Sequence, residues 1–226
     1  MNGRNIILIV IFFFSASADF CYSQTNDAAL WTNIYLEKKI NKKFNSHLNL
    51  LSRFTENYSQ VGYAYADIGL TYKLFKFLNT TFDYVYIKKR RLDGFYSTAN
   101  QFYFNLLFKY NIRRVRLSYR SMIQTQFKDF TTGGRNDVVT FIFRNKFTIR
   151  YQLNKYFTPY ISQEFYYQFN NKSENYFYRS RSFIGVFYTF SQNSNLEFYY
   201  VFQKGMNVKM PETVYALGIG FSHLFQ

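Results

Sequence analysis

Arg114-Val115-Arg116-Leu117-Ser118-Tyr119-Arg120-Ser121-Met122-Ile123-Gln124-Thr125-Gln126-Phe127-Lys128 is the stretch that decides the fold. Val115, Leu117, Tyr119, Ile123 and Phe127 share one parity, while Arg114, Arg116, Ser118, Arg120, Gln124, Gln126 and Lys128 share the other. Successive side chains of a strand point to opposite faces, so a period of two marks a strand with one apolar and one polar face. The pattern recurs in both directions. Phe141, Phe143, Phe147, Ile149 and Tyr151 alternate with Thr140, Arg144, Lys146, Thr148 and Arg150, and Leu196, Phe198, Tyr200 and Phe202 alternate with Glu197, Tyr199 and Gln203.

Read along the whole chain, the alternation places strands near 30–38, 44–56, 61–74, 78–91, 100–110, 114–129, 138–152, 156–169, 176–190, 195–204 and 213–225. Short connections fall around Phe75-Lys76, Asn111 to Arg113, Asn154-Lys155 and Ser191 to Asn195. Longer polar ones span Leu92 to Thr98, Phe130 to Asp137, Asn170 to Asn175 and Gly205 to Glu212. Tight turns at one end, long loops at the other, and strands beyond the usual length of soluble sheets form the pattern of an outer-membrane barrel. The expected fold is all-β: a closed antiparallel up-and-down transmembrane β-barrel of about 10–12 strands. A secreted β-sandwich is the alternative, since two apolar sheet faces can also cover each other. Eleven stretches sit awkwardly with the even strand numbers of single-chain bacterial barrels. Ten strands from Phe44 to Phe225 form the firmer set, and twelve would require a further strand around Trp31.

Composition supports this reading. The chain holds 29 Phe, 23 Tyr and 1 Trp with only 18% charged residues, so disorder is excluded. A single Cys excludes a disulfide scaffold. Rings whose solvent is lipid, with girdles at its edges, need no hidden core. Arg4, the apolar run Ile6 to Phe14 and the small residues Ser15 to Ala18 make a secretory signal peptide, too short to span a bilayer. Cleavage fits after Ala18 or after Ser23; the second divides the chain into a leader, 1–23, and a barrel, 24–226. Loss of Arg4 and Asp19 changes 28 bases and 13 acids to 27 and 12, so the net charge stays at +15. The last strand, with Tyr215, Leu217, Ile219, Phe221, His223 and Phe225 on one face, is similar to the terminal signal that barrel-assembly machinery reads, although Gln226 follows the aromatic.

Trp31, Asp67-x-Gly69-x-x-Tyr72, the Arg114 to Arg120 strand, Glu164-Phe165 and Arg179-x-Arg181-x-x-x-Gly185-x-x-Tyr188 give the chain its resemblance to a family. It resembles the DUF2490 family of Bacteroidetes-type outer-membrane proteins. That resemblance implies a barrel and an outer-membrane location, and no activity.

No phosphate-binding loop, dinucleotide fingerprint, zinc spacing or nucleophile elbow is present, so no catalytic residue, metal site or cofactor is expected. Ser222 and His223 are adjacent and therefore point to opposite faces, which excludes a hydrogen-bonded pair along the strand. A lipid-modifying enzyme would need His47 or His223 paired across strands with a Ser or an acid. With the apolar parity facing lipid, the lumen receives the basic cluster Arg114, Arg116, Arg120, Arg144, Lys146, Arg150, Arg179 and Arg181, joined by Arg53, Lys73, Lys109 and Lys128. The acids of that face are Asp67, Asp83, Glu164 and Glu197, and Glu164 is expected to meet Arg150, Arg179 or Arg181. An excess of bases inside points to a narrow anion-preferring pore or a barrel that binds a small anionic solute. A closed barrel filled by an Arg–Glu–Tyr network is the other reading. Lys88, Lys89, Arg90, Arg91, Lys128 and Arg135, near the outer loops, are candidates for lipopolysaccharide phosphates among the outer-membrane lipids. Nucleic acid is not an expected partner, because the leader sends the chain away from it.

Overall fold

The computed structural model describes residues 26–56, 58–91, 93–128, 140–170, 175–208 and 211–226, so the proposed leader lies outside the described residues. Eleven strands follow in order: β1 (Asn26–Lys39), β2 (Phe44–Thr55), β3 (Gln60–Phe75), β4 (Leu78–Arg90), β5 (Tyr96–Ile112), β6 (Val115–Lys128), β7 (Thr140–Tyr151), β8 (Phe157–Gln168), β9 (Tyr176–Ser191), β10 (Ser194–Gly205) and β11 (Thr213–Phe225). Each pairs antiparallel with the next, as short connections demand. Connections 40–43, 76–77, 113–114, 152–156 and 192–193 lie at one end, and the strand ends that flank the longer connections lie at the other.

The sheet closes on itself through β1 and β11. These two strands run parallel, in register from Asn26 opposite Thr213 to Lys38 opposite Phe225. The parallel seam follows from the odd count. In a meander every strand reverses the last, so first and last strands share a direction when the number is odd. The closed all-β barrel of about 10–12 strands is as expected; its strand number is eleven rather than ten or twelve, and the seam alone is parallel among the described strands. The stretch around Trp31 is neither a stray segment nor two strands but one full strand with β11 and β2 as neighbours. Closure also rules out the sandwich, which would leave two open sheets.

Every strand places a large apolar side chain on the outside. Ile34, Leu50, Ile68, Phe82, Phe104, Ile123, Phe147, Ile161, Ile184, Phe198 and Leu217, one from each strand in turn, are all exposed. An apolar belt running round the whole circumference far exceeds the isolated patches normal on soluble proteins.

The inward face is crowded, and glycine makes room in it. Tyr160, Gly185, Tyr199, Gly218 and Trp31 stand side by side across β8, β9, β10, β11 and β1. Large rings therefore alternate with glycines along one row. A Cβ at Gly218 would lie 2.1 Å from the Tyr199 ring, and one at Gly185 2.7 Å from both the Phe198 carbonyl oxygen and Tyr199 Cβ. Two apolar clusters line the lumen. Ala29, Trp31, Val201 and Ala216 pack at the seam, and Val85, Ile87 and Ala99 pack on the opposite wall. Between the walls a cavity of about 2000 Å³ remains.

Two outcomes test this architecture. In a Cys21→Ser background, cysteines replacing Ala29 and Ala216, which are in register across the seam, should form a disulfide seen as a gel shift under oxidising conditions. An uncross-linked product would contradict the parallel closure. Gly185→Ala meets backbone as well as Tyr199, and should lower stability in detergent by about 1–3 kcal/mol, read from the melting transition.

Candidate functional site: the basic lumen

Glu164 is the most deeply buried charge of the lumen, 1% exposed. Strand β8 holds it inward, with Lys146 of β7 and Arg181 of β9 as its direct cross-strand neighbours. Neither makes the ion pair. Arg144 does, donating from Nη2 (2.8 Å) and Nε (3.1 Å) to Oε1, together with Arg120, which reaches two strands across from β6 (Nη2 to Oε1, 2.7 Å). The expected partners Arg150, Arg179 and Arg181 are therefore replaced by Arg120 and Arg144. Long guanidinium stems on an inward-curving wall reach diagonal neighbours as readily as direct ones. Lys146 instead lies over the Phe183 ring, 4.1 Å from its centroid.

The network continues through neutral groups. Tyr166 donates its hydroxyl to Glu164 Oε2 (2.9 Å) and accepts from Arg181 Nη1, while Arg181 Nε donates to Gln203 Oε1 (2.6 Å). Arg144 Nη1 also donates to Gln124 Oε1 (3.2 Å). One carboxylate thus organises a chain of polar groups from β6 to β10.

The other acids serve elsewhere. Glu197 accepts from the Tyr160 hydroxyl (2.5 Å) and, among the described residues, has no base within ion-pair distance. Asp67 and Asp83 face His47, whose Nε2 lies 3.7 and 3.4 Å from their Oδ1 atoms. Of the four acids expected to neutralise the basic cluster, Glu164 alone does so among the described residues.

Arg53, Arg179 and Arg181 are left without a carboxylate within ion-pair distance among the described residues. Aromatic faces hold them instead. Trp31 is approached by Arg53 (4.0 Å to the ring centroid) and by Arg181 (5.2 Å). Arg53 also lies over Tyr63 (4.7 Å), and Arg179 over Tyr166 (5.6 Å) and Tyr178 (5.3 Å). Such contacts each contribute about 0.5–2 kcal/mol, the upper end when desolvated. They cover the flat face of a guanidinium rather than its edge, although Arg181 also commits Nε and Nη1 to Gln203 and Tyr166. All three arginines lie near the long-loop ends of β2 and β9 and line the cavity.

Not every expected base belongs to this wall. Arg114 falls in the two-residue turn before β6 and is exposed, and Arg116 beside it is exposed and bonded to Asn111 Oδ1 (2.8 Å). They form a short-turn rim, one just before and one at the start of β6. Arg150 lies over the Phe187 ring (4.6 Å). At the long-loop rim, Arg90 pairs with Glu56 (2.9 Å) and Arg91 with Asp93 (3.0 Å). The Lys128 side chain and Arg135 lie outside the described residues.

His223 meets a serine, though not its sequence neighbour: Ser194 Oγ lies 2.7 Å from Nδ1 across the β10–β11 pair. Its ring sits between those of Phe221 and Phe225, and no acid lies within ion-pair distance among the described residues. The roles of Trp31 and Tyr166 were invisible to charge counting. The inward parity they share with the arginines was the available signal.

Residues 28–209 match the family described as "Protein of unknown function (DUF2490)". The chain belongs to this family. No curated protein matches it. Among solved structures, the outer-membrane expressed OmpT of Vibrio cholerae is similar with a TM-score of 0.43 and 12% identity, over 72% of this chain and 54% of that one. The DUF2490 chain thus spans about half the length of the Vibrio barrel. The translocator domain of autotransporter NalP from Neisseria meningitidis is similar with a TM-score of 0.39 and 12% identity, over 77% of this chain and 72% of that one.

Removing one partner of a buried ion pair leaves the other charged and uncompensated, at a cost of about 3–5 kcal/mol. Glu164→Ala strands both Arg120 and Arg144. It should lower the melting temperature in detergent by on the order of 10 °C. An unchanged melting temperature would show that the network does not hold the barrel.

Proposed function

We propose that this DUF2490 protein is an integral outer-membrane β-barrel whose lumen takes up small anions, as a narrow anion-preferring pore or solute-binding barrel. The location draws on the apolar belt contributed by all eleven strands. A closed barrel satisfies its backbone internally, as lipid requires, and a belt of this kind is what lipid covers. Export rests on the leader 1–23, and recognition by barrel-assembly machinery on the amphipathic β11. Lys88, exposed near the long-loop end of β4, supports the reading that rim bases meet lipopolysaccharide phosphates.

One observation carries the anion reading. Arg53 and Arg179 stand on aromatic faces in an open cavity with no described carboxylate within reach. A guanidinium held in that way offers planar paired donors to a carboxylate, phosphate or sulfate. The alternative, a structural or surface-interaction barrel with a plugged lumen, draws on the Glu164 network and the seam cluster, which fill part of the same space.

The test is reconstitution in planar bilayers under a potassium chloride gradient. The expected outcome is a reversal potential of anion-selective sign. It should move toward zero when Arg53 and Arg179, whose described contacts are aromatic rings, are replaced by Gln. Cation preference would overturn the reading. Silence at all voltages, together with no binding of phosphate to the purified barrel, would establish the plugged form.

A further inference from the structure

We propose that His47, Asp67 and Asp83 form a lumenal binding site for one divalent first-row transition cation. This site is separate from the arginine cluster and independent of the anion reading.

The three residues come from neighbouring strands β2, β3 and β4, and their geometry hinges on Gly69. His47 and Asp83 both pair with Gly69, one from each side. With no side chain between them, they lean over the glycine toward each other. A Cβ at Gly69 would fall 2.0 Å from Asp83 Oδ1 and 2.3 Å from His47 Cε1. Asp67, two residues along β3 and on the same face, closes the third side.

The donor atoms are arranged as ligands are. One atom from each residue lies within 4.8 Å of the others, with His47 Nε2 at 3.4 Å from Asp83 Oδ1 and 3.7 Å from Asp67 Oδ1. A tetrahedral ion bound at about 2.0–2.1 Å spaces its donors about 3.3–3.5 Å apart, so small adjustments bring all three into range. Three protein donors leave a coordination position for water from the lumen.

A second observation points to a ligand. The Asp83 and His47 side chains are 5% and 8% exposed. Asp83 Oδ1 and Asp67 Oδ1 are buried and accept no hydrogen bond. Asn105 donates to the other Asp83 oxygen, which orients the carboxylate and leaves Oδ1 turned to the site. Tyr35 stacks on the imidazole, 5.2 Å between centroids, and fixes its plane. Among the described residues, no Lys or Arg lies within ion-pair distance of either carboxylate. With both carboxylates ionised, a charged imidazole would still leave one negative charge over. A divalent cation with a neutral imidazole balances the site.

One imidazole nitrogen with carboxylate oxygens suits zinc or a neighbouring transition ion better than calcium or magnesium, which take all-oxygen sites. The full chain, expressed with its leader and purified from membranes in detergent, is stripped with chelator and titrated with zinc chloride by calorimetry. One equivalent should bind, with a rise in melting temperature. His47→Ala and Asp83→Asn should each weaken binding at least about tenfold. Gly69→Ala keeps every donor and fills the cradle, and should do the same. His223→Ala should leave binding unchanged. Heat-modifiable gel mobility identifies folded variants, and the stoichiometry of the unsubstituted protein stands whatever they do. Three results would overturn the proposal: no stoichiometric zinc on that protein, undiminished binding by folded His47→Ala or Asp83→Asn, or calcium or magnesium binding as tightly as zinc.

Discussion

Closure is the constraint on which the rest of the structure depends. An open edge exposes a row of unpaired amides and carbonyls, and a barrel abolishes it. With eleven strands, closure is possible only through a parallel pair, and β1 and β11 supply it over nearly their full lengths. The seam also brings Trp31 inward beside Gly218 and Val201, so the residue that closes the barrel also anchors two arginines of the lumen. Architecture and candidate site share one strand.

A second consequence is crowding. A barrel of this size has little interior width, and side chains fill much of it. Tyr160, Tyr199 and Trp31 fit along one row of the wall because glycines stand between them, at Gly185 and Gly218. Gly69 follows the same rule with a different outcome: it seats an imidazole and a carboxylate, where Gly185 and Gly218 seat rings. The lumen is thus a packed wall around a remaining cavity, and its charges are arranged by what they can touch. Glu164 gathers two arginines, aromatic faces hold Arg53, Lys146, Arg150, Arg179 and Arg181, and His47 takes the two aspartates.

Much of this was legible in the alternation. The parity of Arg120, Arg144, Arg179 and Arg181 points them inward, where they line the cavity, and that of Leu117, Ile123 and Phe147 points them outward, where they are exposed. The partners were not legible. Pairing depends on register, and β-bulges shift it between Arg53 and Phe54 on β2, between Lys73 and Phe75 on β3, and between Tyr166 and Tyr167 on β8. Each bulge inserts a residue, so counting outward from a turn assigns the wrong neighbour beyond it. His47 opposite Gly69, and Gly69 opposite Asp83, lie past two such bulges, which hid the cluster from any reading of hairpins.

Sequence by itself determined the fold class and the two faces of each strand, because side-chain direction in a strand is a local property with a period of two. It also determined the excess of bases over acids on the inner face, which is a matter of composition and parity. Only the tertiary structure decided the strand number, the parallel seam, and which charges meet. Those depend on how far each strand slides along its neighbour and how the sheet curves. Those slides bring Arg120 to Glu164 from two strands away, and leave Arg181, its direct neighbour, to a glutamine and aromatic rings.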